Sequence, residues 1–339
     1  MHWRKCGSYF YFFAEMQENL PTILVSGAAG FIGSHLCKAL VKAGNRVIGV
    51  DDLSKGDLNR LKEVTSAKNF RLIQRNITEI NDFGLPELEC MVHLASSKIP
   101  RYSSGWEVID ANHKSNSAVL DFCIQHNIRL LFASTSDVYG KNPNPPFSEL
   151  HDCVLGSPDN KRWVYAASKL HMEHALFSAG RQFGLRFQIM RFFGCYGPEM
   201  ANGWWGGPQS VFIEQALKGK PYEIHGDGTQ VRSYVYIDDL VDAVMRLVKN
   251  TQLESGIWNI CDGPDAAVSV LDLAKLIHEI VYPGNLAQFE FIPYSTFGRY
   301  EDVLYRSGTS EKAERLLGWK AATSLAEGLI KTINAARRT

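Results

Sequence analysis

The sequence predicts an α/β fold, a doubly wound parallel sheet with a smaller C-terminal lobe. Between residues 21 and about 190 of the 339, short β-rich runs alternate with segments of helical periodicity. Such alternation is typical of parallel strands whose connecting helices cover both faces of the sheet. A glycine-rich turn follows the first β-rich run, and past about residue 195 the elements shorten while Gly, Pro and Trp cluster. The turn predicts a ligand crevice at the carboxyl ends of the strands, and the change of texture predicts the lobe.

The elements can be assigned in order along the chain. Residues 22–26 form the first β-rich run, residues 31–43 carry apolar side chains at helical spacing, and residues 46–50 form the second run. Further strands are predicted at 70–73, 90–94, 130–133 and 187–190, and further helices at about 106–126 and 163–183. The chain therefore divides into an N-terminal extension (1–20), a sheet domain (21–190) and a lobe (191–339) interleaved with that domain.

Composition excludes several classes of protein. Lys and Arg number 36 and Asp and Glu also 36, so the chain has no general positive charge for binding nucleic acid or an anionic membrane. No apolar stretch approaches the roughly 20 residues that span a bilayer. The seven cysteines are scattered without a C-x-x-C pair, which favours a reducing compartment, the cytoplasm. His171 and His174 share a helical stretch without an evident third ligand, so no metal site is expected.

The glycine-rich turn has the spacing of a dinucleotide-binding site. Gly27, Gly30 and Gly33 stand between a strand and a helix, where residues without Cβ let backbone N–H groups approach a pyrophosphate. Asp51 ends the second strand, where a carboxylate accepts hydrogen bonds from ribose hydroxyls and repels a 2′-phosphate. The sequence therefore predicts a Rossmann-like domain that binds NAD rather than NADP, although Lys55 lies nearby.

A tyrosine and a lysine occupy one face of a predicted helix. Tyr165 and Lys169 are four residues apart, so an ammonium lies one turn from a phenol, stabilises the phenolate and is expected to lower its pKa. Such a tyrosine acts as a general base near neutral pH. Thr135 and Ser136 directly follow a buried strand, so their hydroxyls are expected to face the crevice and orient a substrate hydroxyl.

Together these motifs resemble the extended short-chain dehydrogenase/reductases, in particular the NAD-dependent nucleotide-sugar epimerases, dehydratases and decarboxylases, from about residue 22 to about residue 250. The resemblance implies that Tyr165 is the catalytic base, Lys169 its partner and Thr135 the third member of a triad. It also implies that the second lobe binds a nucleotide sugar and that Arg232 grips its diphosphate. The expected cofactor contacts are Gly27, Gly30, Phe31, Ile32, Gly33, Asp51, Asn76, Ile77, Leu94, Ala95, Lys98 and Asn112.

Three residues bear on the substrate. The family usually has asparagine where this chain has Gly194, a position expected to contact the substrate. Arg101 follows Lys98 closely and is a candidate for holding a phosphate or a sugar carboxylate, or else a solvated loop residue. Asp137 resembles the acid that sugar dehydratases and glucuronate decarboxylases carry before Val-Tyr-Gly, where it would move a proton at C5 or C6; a helix cap is the alternative.

The predicted enzyme oxidises a nucleotide-linked sugar at C4 and regenerates NAD within the cycle. Asp137 favours dehydration or decarboxylation. The first alternative is a 4-epimerase of the UDP-glucose or UDP-glucuronate type. Further alternatives are an NADP-dependent carbonyl reductase and a non-catalytic NAD-binding sensor. The resemblance also suggests a homodimer formed through helices of the sheet domain.

Overall fold

A computed structural model describes residues 21–98, 105–297 and 301–338. The predicted N-terminal extension and Arg101 lie outside these residues. The strands are β1 (Thr22–Ser26), β2 (Arg46–Val50), β3 (Phe70–Ile73), β4 (Cys90–His93), β5 (Arg129–Thr135), β6 (Phe187–Phe192), β7 (Gly194–Tyr196), β8 (Tyr222–His225), β9 (Val231–Arg232), β10 (Tyr234–Tyr236), β11 (Gly256–Ile260), β12 (Val268–Ser269), β13 (Phe289–Ile292) and β14 (Tyr305–Arg306). The helices are α1 (Phe31–Lys42), α2 (Gly105–Gln125), α3 (Val164–Phe183), α4 (Pro208–Leu217), α5 (Ile237–Lys249), α6 (Val270–Val281), α7 (Glu311–Leu317) and α8 (Leu325–Ala336).

The main sheet has seven parallel strands in the order β11-β6-β5-β4-β1-β2-β3. The chain proceeds from β1 toward β3 on one side and then returns to β4 on the other. The strand order therefore reverses between β1 and β4, where Ser26 is the register partner of His93. Ligands of open α/β sheets bind at such a reversal, outside the carboxyl ends of the strands. The predicted fold class is confirmed.

Both faces of this sheet are covered. Ile23 and Val25 of β1 belong to a core that includes residues of α1 and α5, whereas Leu24 belongs to a core that includes residues of α2 and α3. Successive side chains of a strand point to opposite faces, so each strand contributes to both cores. This double burial explains why the strands are continuous apolar runs in the sequence.

The chain after residue 191 forms the lobe and also adds one strand to the main sheet. Three small sheets, β10-β7, β12-β9-β14 and β13-β8, build the lobe. β11 returns to the main sheet beside β6, where Trp258 Nε1 donates to Gln188 Oε1 at 2.6 Å. In the described ranges, every helix is too short or too polar to cross a lipid bilayer.

Candidate active site

The glycine-rich turn leaves room at the reversal of strand order. Gly27 has φ +72°, and a Cβ there would come within 2.9 Å of Ala95 N. A Cβ on Gly33 would collide with Gly27 O. Gly30 begins α1 without a side-chain cap, and the first turn, which starts with Phe31 and Ile32, has no acidic residue. Uncapped N–H groups and a close backbone approach fit the diphosphate of a dinucleotide.

Asp51 is tied to this turn. Its Oδ2 accepts from Ala29 N and its Oδ1 from Leu53 N, both at 2.9 Å. Burial raises the pKa of Asp51, and these two backbone hydrogen bonds oppose the shift. The carboxylate thus stands beside the turn, where a ribose hydroxyl would reach it.

The other predicted cofactor contacts are less uniform. Asn76 donates to Asp52 Oδ2 at 2.8 Å and caps the short helix that follows β3, and Ile77 is buried in the core. The backbone N–H groups of Leu94 and Ala95 lie near Ser26 Oγ, at 3.2 and 3.3 Å. The backbones of Leu94 and Ala95 thus line the turn, whereas Ile77 belongs to the core between the sheet and α2 and α3.

Tyr165 and Lys169 lie on α3 as predicted, with Lys169 Nζ 5.8 Å from the Tyr165 ring centre and 4.7 Å from that of Phe132. Burial lowers the pKa of Lys169 to about 7, and Glu173 opposes this shift. Burial raises the pKa of Tyr165 to about 12, and a hydrogen bond with Ser96 opposes it. The expected lowering of the tyrosine pKa therefore does not arise from the groups of this chain, because burial disfavours the phenolate more than they stabilise it.

Thr135 is placed opposite this pair by its two neighbours. Ser134 Oγ donates to Glu173, one turn beyond Lys169, and Asp137 pairs with Arg162, three residues before Tyr165. The strand end that carries Thr135 is thus fixed to α3 through Glu173 and to the short helical turn before α3 through Arg162. Thr135 Oγ1 accepts from Asp137 N at 3.2 Å, and Ser136 beside it is buried.

Asn112 supports the site from α2. Its Nδ2 donates to Ser168 Oγ and to Ser97 O, both at 2.9 Å, and its Oδ1 accepts from Ser97 N at 2.7 Å. Ser96 Oγ also donates to Asn112 Oδ1, at 3.1 Å, and hydrogen-bonds with Tyr165. Asn112 therefore holds the segment after β4 against α3, which is a supporting role. Lys98, at the end of that segment, is exposed and lies near Cys195.

The surroundings of Asp137 differ from those of the proton-transferring acid that the sequence predicted. Its Oδ1 accepts from Arg162 Nη2 at 2.9 Å and also from Arg306 Nη1, which comes from β14 of the lobe. Burial lowers the pKa of Arg306 to about 10, so this guanidinium is cationic at neutral pH. Asp302 and Glu301 also interact with Arg162, but each has a further cationic partner, Arg232 and Lys141 respectively. These four cations and three anions leave one net positive charge in this cluster.

Arg232 is buried and paired within the lobe. Its Nη2 donates to Asp302 Oδ1 and its Nη1 to Val231 O, at 2.9 and 2.8 Å. Burial acts to raise the pKa of Asp302, but Arg232 and Arg162 overcome it, so the pKa is lowered. The predicted grip on a diphosphate would require Arg232 to share its guanidinium with the ligand, and it stays a prediction.

Gly194 is explained by its partner across β7 and β10. It is the register partner of Tyr234, and a Cβ at Gly194 would come within 2.8 Å of Tyr234 Cδ1. An asparagine at this position would require the Tyr234 ring to move. The structure thus explains the glycine by packing, and the expected substrate contact at Gly194 stays a prediction.

Sequence reasoning missed Ser96, Arg162, Glu173 and Arg306. Glu173 offered one signal, because it lies four residues after Lys169 on the same helix face. Arg306 offered none, because its partner Asp137 is 169 residues away.

Three features define the class of dinucleotide-dependent enzymes built on a doubly wound sheet. They are the parallel sheet whose strand order reverses between β1 and β4, the glycine-rich turn, and the helix that carries Tyr165 and Lys169. The chain belongs to the NAD dependent epimerase/dehydratase family, whose profile matches residues 23–261. It is therefore an enzyme of that family, with NAD as cofactor.

Curated relatives and solved structures agree with this assignment. The chain is 31% identical over 315 residues to UDP-N-acetyl-α-D-glucosaminuronate decarboxylase of Bacillus cytotoxicus, covering 91% of this chain and 96% of the relative. It is 33% identical over 319 residues to UDP-glucuronic acid decarboxylase 5 of Arabidopsis thaliana, covering 92% and 88%. UDP-glucose 4-epimerase of Thermotoga maritima, solved with UDP-glucose, superposes with a TM-score of 0.81 at 30% identity, covering 94% of this chain and 99% of that one.

Proposed function

We propose that this enzyme oxidises a UDP-linked hexuronate at C4 and then releases its C6 carboxylate as carbon dioxide. The observation that carries the proposal is the pairing of Asp137 with both Arg162 and Arg306, which leaves one net positive charge. A sugar carboxylate is the anion that would neutralise it. Two relatives named as uronate decarboxylases support the same substrate class.

The oxidation step uses the residues held together on α3 and β5. Tyr165 as phenolate takes the proton of the C4 hydroxyl, and Thr135 orients that hydroxyl. Lys169 stabilises the phenolate by its charge. NAD bound along the glycine-rich turn would supply the hydride acceptor, and its positive nicotinamide ring would favour the phenolate that burial alone disfavours.

The second step follows from the chemistry of the 4-keto sugar. Its C6 carboxylate is β to the new ketone, so the C5–C6 bond breaks, carbon dioxide leaves and the electron pair reaches the C4 oxygen as an enolate. A proton from water then adds to C5. Bound NAD would then give the hydride back to C4, and Tyr165 would return the hydroxyl proton, so that the cofactor would end as it began.

Asp137 acts in this proposal as an anchor and not as a proton donor. Its Oδ1 accepts from two guanidiniums, an arrangement that suits orientation of Arg162 and Arg306 better than release of a proton. The arginines then bind the C6 carboxylate. This assignment differs from the proton transfer that the sequence suggested.

The test is mass spectrometry of UDP-glucuronate, UDP-N-acetylglucosaminuronate and UDP-glucose incubated separately with the enzyme and NAD. We expect the uronates to lose the mass of carbon dioxide. An isomer of unchanged mass would instead establish 4-epimerisation, which the likeness to the Thermotoga epimerase favours, and loss of water would establish dehydration.

Tyr165→Phe tests the base. We expect the variant to fold and to lose turnover by at least about 100-fold, since it lacks the proton acceptor. Tyr282→Phe is the matched control, because the Tyr282 hydroxyl donates to Ala216 O on the far side of the lobe.

We further infer that the active form is a homodimer in the cytoplasm. Trp106 and Ile109 of α2 are 73% and 40% exposed, and His113 of α2 lies against His171 of α3. A second copy packed on these two helices would cover the apolar side chains. The cysteines in the described residues are all free thiols, which supports a reducing compartment.

A further inference from the structure

One segment of the lobe, residues 198–205, lies on the helix that begins at the glycine-rich turn. His35 Nε2 and Pro198 O are 3.2 Å apart, and Lys38 Nζ pairs with Glu199 at 3.1 Å; both His35 and Lys38 belong to α1. Arg60 donates to Glu199 O at 3.0 Å and to Ala29 O at 3.3 Å. Arg60 thus connects this segment directly to the glycine-rich turn.

The same segment ends at a contact between an indole ring and an ammonium. Lys55 Nζ lies 5.0 Å from the centre of the Trp205 ring. This distance is within the range of a cation–π interaction. Trp205 is partly buried and Lys55 is exposed, so the contact lies at the surface of the crevice.

Lys55 is held close to the turn by its neighbours. Asp57 N donates to Ala29 O at 3.0 Å, and a Cβ on Gly56 would come within 2.8 Å of Ala29 Cβ and 2.5 Å of Asp51 Oδ1. The backbone next to Lys55 is therefore in contact with both the turn and the ribose-binding carboxylate. A lysine side chain from this point easily spans the mouth of the turn.

We propose that Lys55 and Trp205 form the outer wall of the cofactor's diphosphate site. The N–H groups of the turn and of α1 bind the diphosphate from below, and Lys55 binds it from above as a full positive charge. The Trp205 ring holds the ammonium in that position. A residue of the lobe thereby takes part in retaining NAD.

The neighbouring indole extends this connection into the lobe. The Trp204 ring is stacked on His225 at the end of β8, with centroids 4.1 Å apart and an interplanar angle of 24°. Two adjacent tryptophans therefore join the lobe's own core to the loop that carries Lys55. In this proposal the wall has to open when the cofactor leaves.

The proposal is tested by the rate at which NADH leaves the enzyme. The protein is loaded with NADH, chased with excess NAD and followed by the directly excited fluorescence of the reduced nicotinamide. Trp205→Leu keeps an apolar side chain and removes the aromatic ring, and we expect its release rate to rise about two- to thirty-fold. Trp205→Phe retains a ring and should stay near the wild-type rate.

Two further variants separate the contact from general damage. Lys55→Met should accelerate release at least as much as Trp205→Leu, since it also removes the charge on the diphosphate. In the double variant the loss of Trp205 should add nothing to Lys55→Met, because both act through one contact. Lys331→Met is the matched control, because Lys331 Nζ lies 5.3 Å from the Tyr236 ring, away from the turn.

An unchanged release rate in Trp205→Leu, or full additivity with Lys55→Met, would overturn the proposal. The measurement needs NAD binding only. A chain that released no carbon dioxide from any uronate would refute the proposed reaction and leave this test intact.

Discussion

Burial lowers the pKa of the Lys169 ammonium to about 7, and the buried carboxylate of Glu173, one turn further along α3, opposes that shift. Glu173 is itself held by Arg191, with Nη2 to Oε2 at 2.6 Å, and by Ser134 Oγ. The charge beside Tyr165 thus depends on the buried ion pair of Glu173 with Arg191. Four predictions follow from this and from the other contacts of the crevice.

Glu173→Gln should shift the alkaline limb of the pH–activity profile to lower pH than in the wild type. Without the carboxylate, burial and the remaining Arg191 charge both lower the pKa of Lys169, so its ammonium is lost sooner as pH rises. The pH profile of kcat measures this. Breaking the buried pair should also cost about 3–5 kcal/mol of unfolding free energy.

Glu214→Gln is the control for that variant. Glu214 pairs with Lys218 on an exposed helix surface, so its loss should leave both the profile and the stability nearly unchanged. A Glu173→Gln profile that coincides with the wild type would contradict the electrostatic role.

Lys169→Met should change how stability depends on pH. The folded pKa of Lys169 is about 7 and its ordinary value is 10.5, so between these values the unfolded chain binds more protons. This group therefore makes the wild type more stable as pH rises through that window. In Lys169→Met the contribution disappears, and urea titrations of both proteins at several pH values isolate the difference. If the stabilities of the two proteins changed with pH in parallel, the pKa of Lys169 would not be lowered in the folded chain.

Arg306→Met should raise the KM for the uronate substrate about ten- to hundred-fold. The variant removes one charged hydrogen-bond donor from the cluster that binds the C6 carboxylate. Binding of UDP-glucose, which lacks that carboxylate, should change little. Arg181→Met, at an exposed position near the end of α3, is the matched control. Equal losses for both nucleotide sugars would refute a specific carboxylate contact.

Gly27→Ala and Gly44→Ala form a matched pair for the cofactor site. Both glycines have left-handed backbone, with φ +72° and +88°, but a Cβ at Gly44 meets nothing within 4 Å, whereas one at Gly27 meets Ala95 N. Gly44→Ala should lose about 1–2 kcal/mol of stability through backbone strain, and Gly27→Ala should lose more, because its Cβ also meets the Ala95 backbone. Only Gly27→Ala should also lose NAD binding, as measured by titration calorimetry. Equal NAD affinity in the two variants would show that the turn does not contact the cofactor.

Much of the fold could be predicted because its signals are local. The runs at 22–26 and 46–50 are strands, and the segment that begins at residue 31 is a helix, as predicted. The glycine-rich turn lies between the first strand and this helix, and its Gly27 has φ +72°. Tyr165 and Lys169 share a helix face because four residues make about one turn. The place of β11 beside β6 was not predicted, because β11 joins the main sheet from the part of the chain that was assigned to the lobe.

The arrangement of the glycine-rich turn and Asp51 could be predicted from the sequence, whereas the surroundings of Tyr165 and Asp137 could not. The glycine-rich turn and Asp51 are neighbours across adjacent strand ends, so spacing alone brings them together. The pKa of Tyr165 was predicted to be lowered and is raised instead. Burial causes this shift, and burial depends on the whole packed domain and not on the lysine one turn away.

The amino-acid pattern alone was enough for the sheet, the dinucleotide turn, the Tyr165–Lys169 pair and the family, because each depends on geometry within a few residues or at one strand end. Arg306, one of the two partners of Asp137, lies 169 residues away along the chain, and Asp302, the partner of Arg232, lies 70 residues away. Packing of the lobe on the sheet decided the first contact, and packing within the lobe decided the second. Long-range ion pairs leave no periodic trace in a sequence, since their free energy comes from burial and distance that exist only in the folded chain.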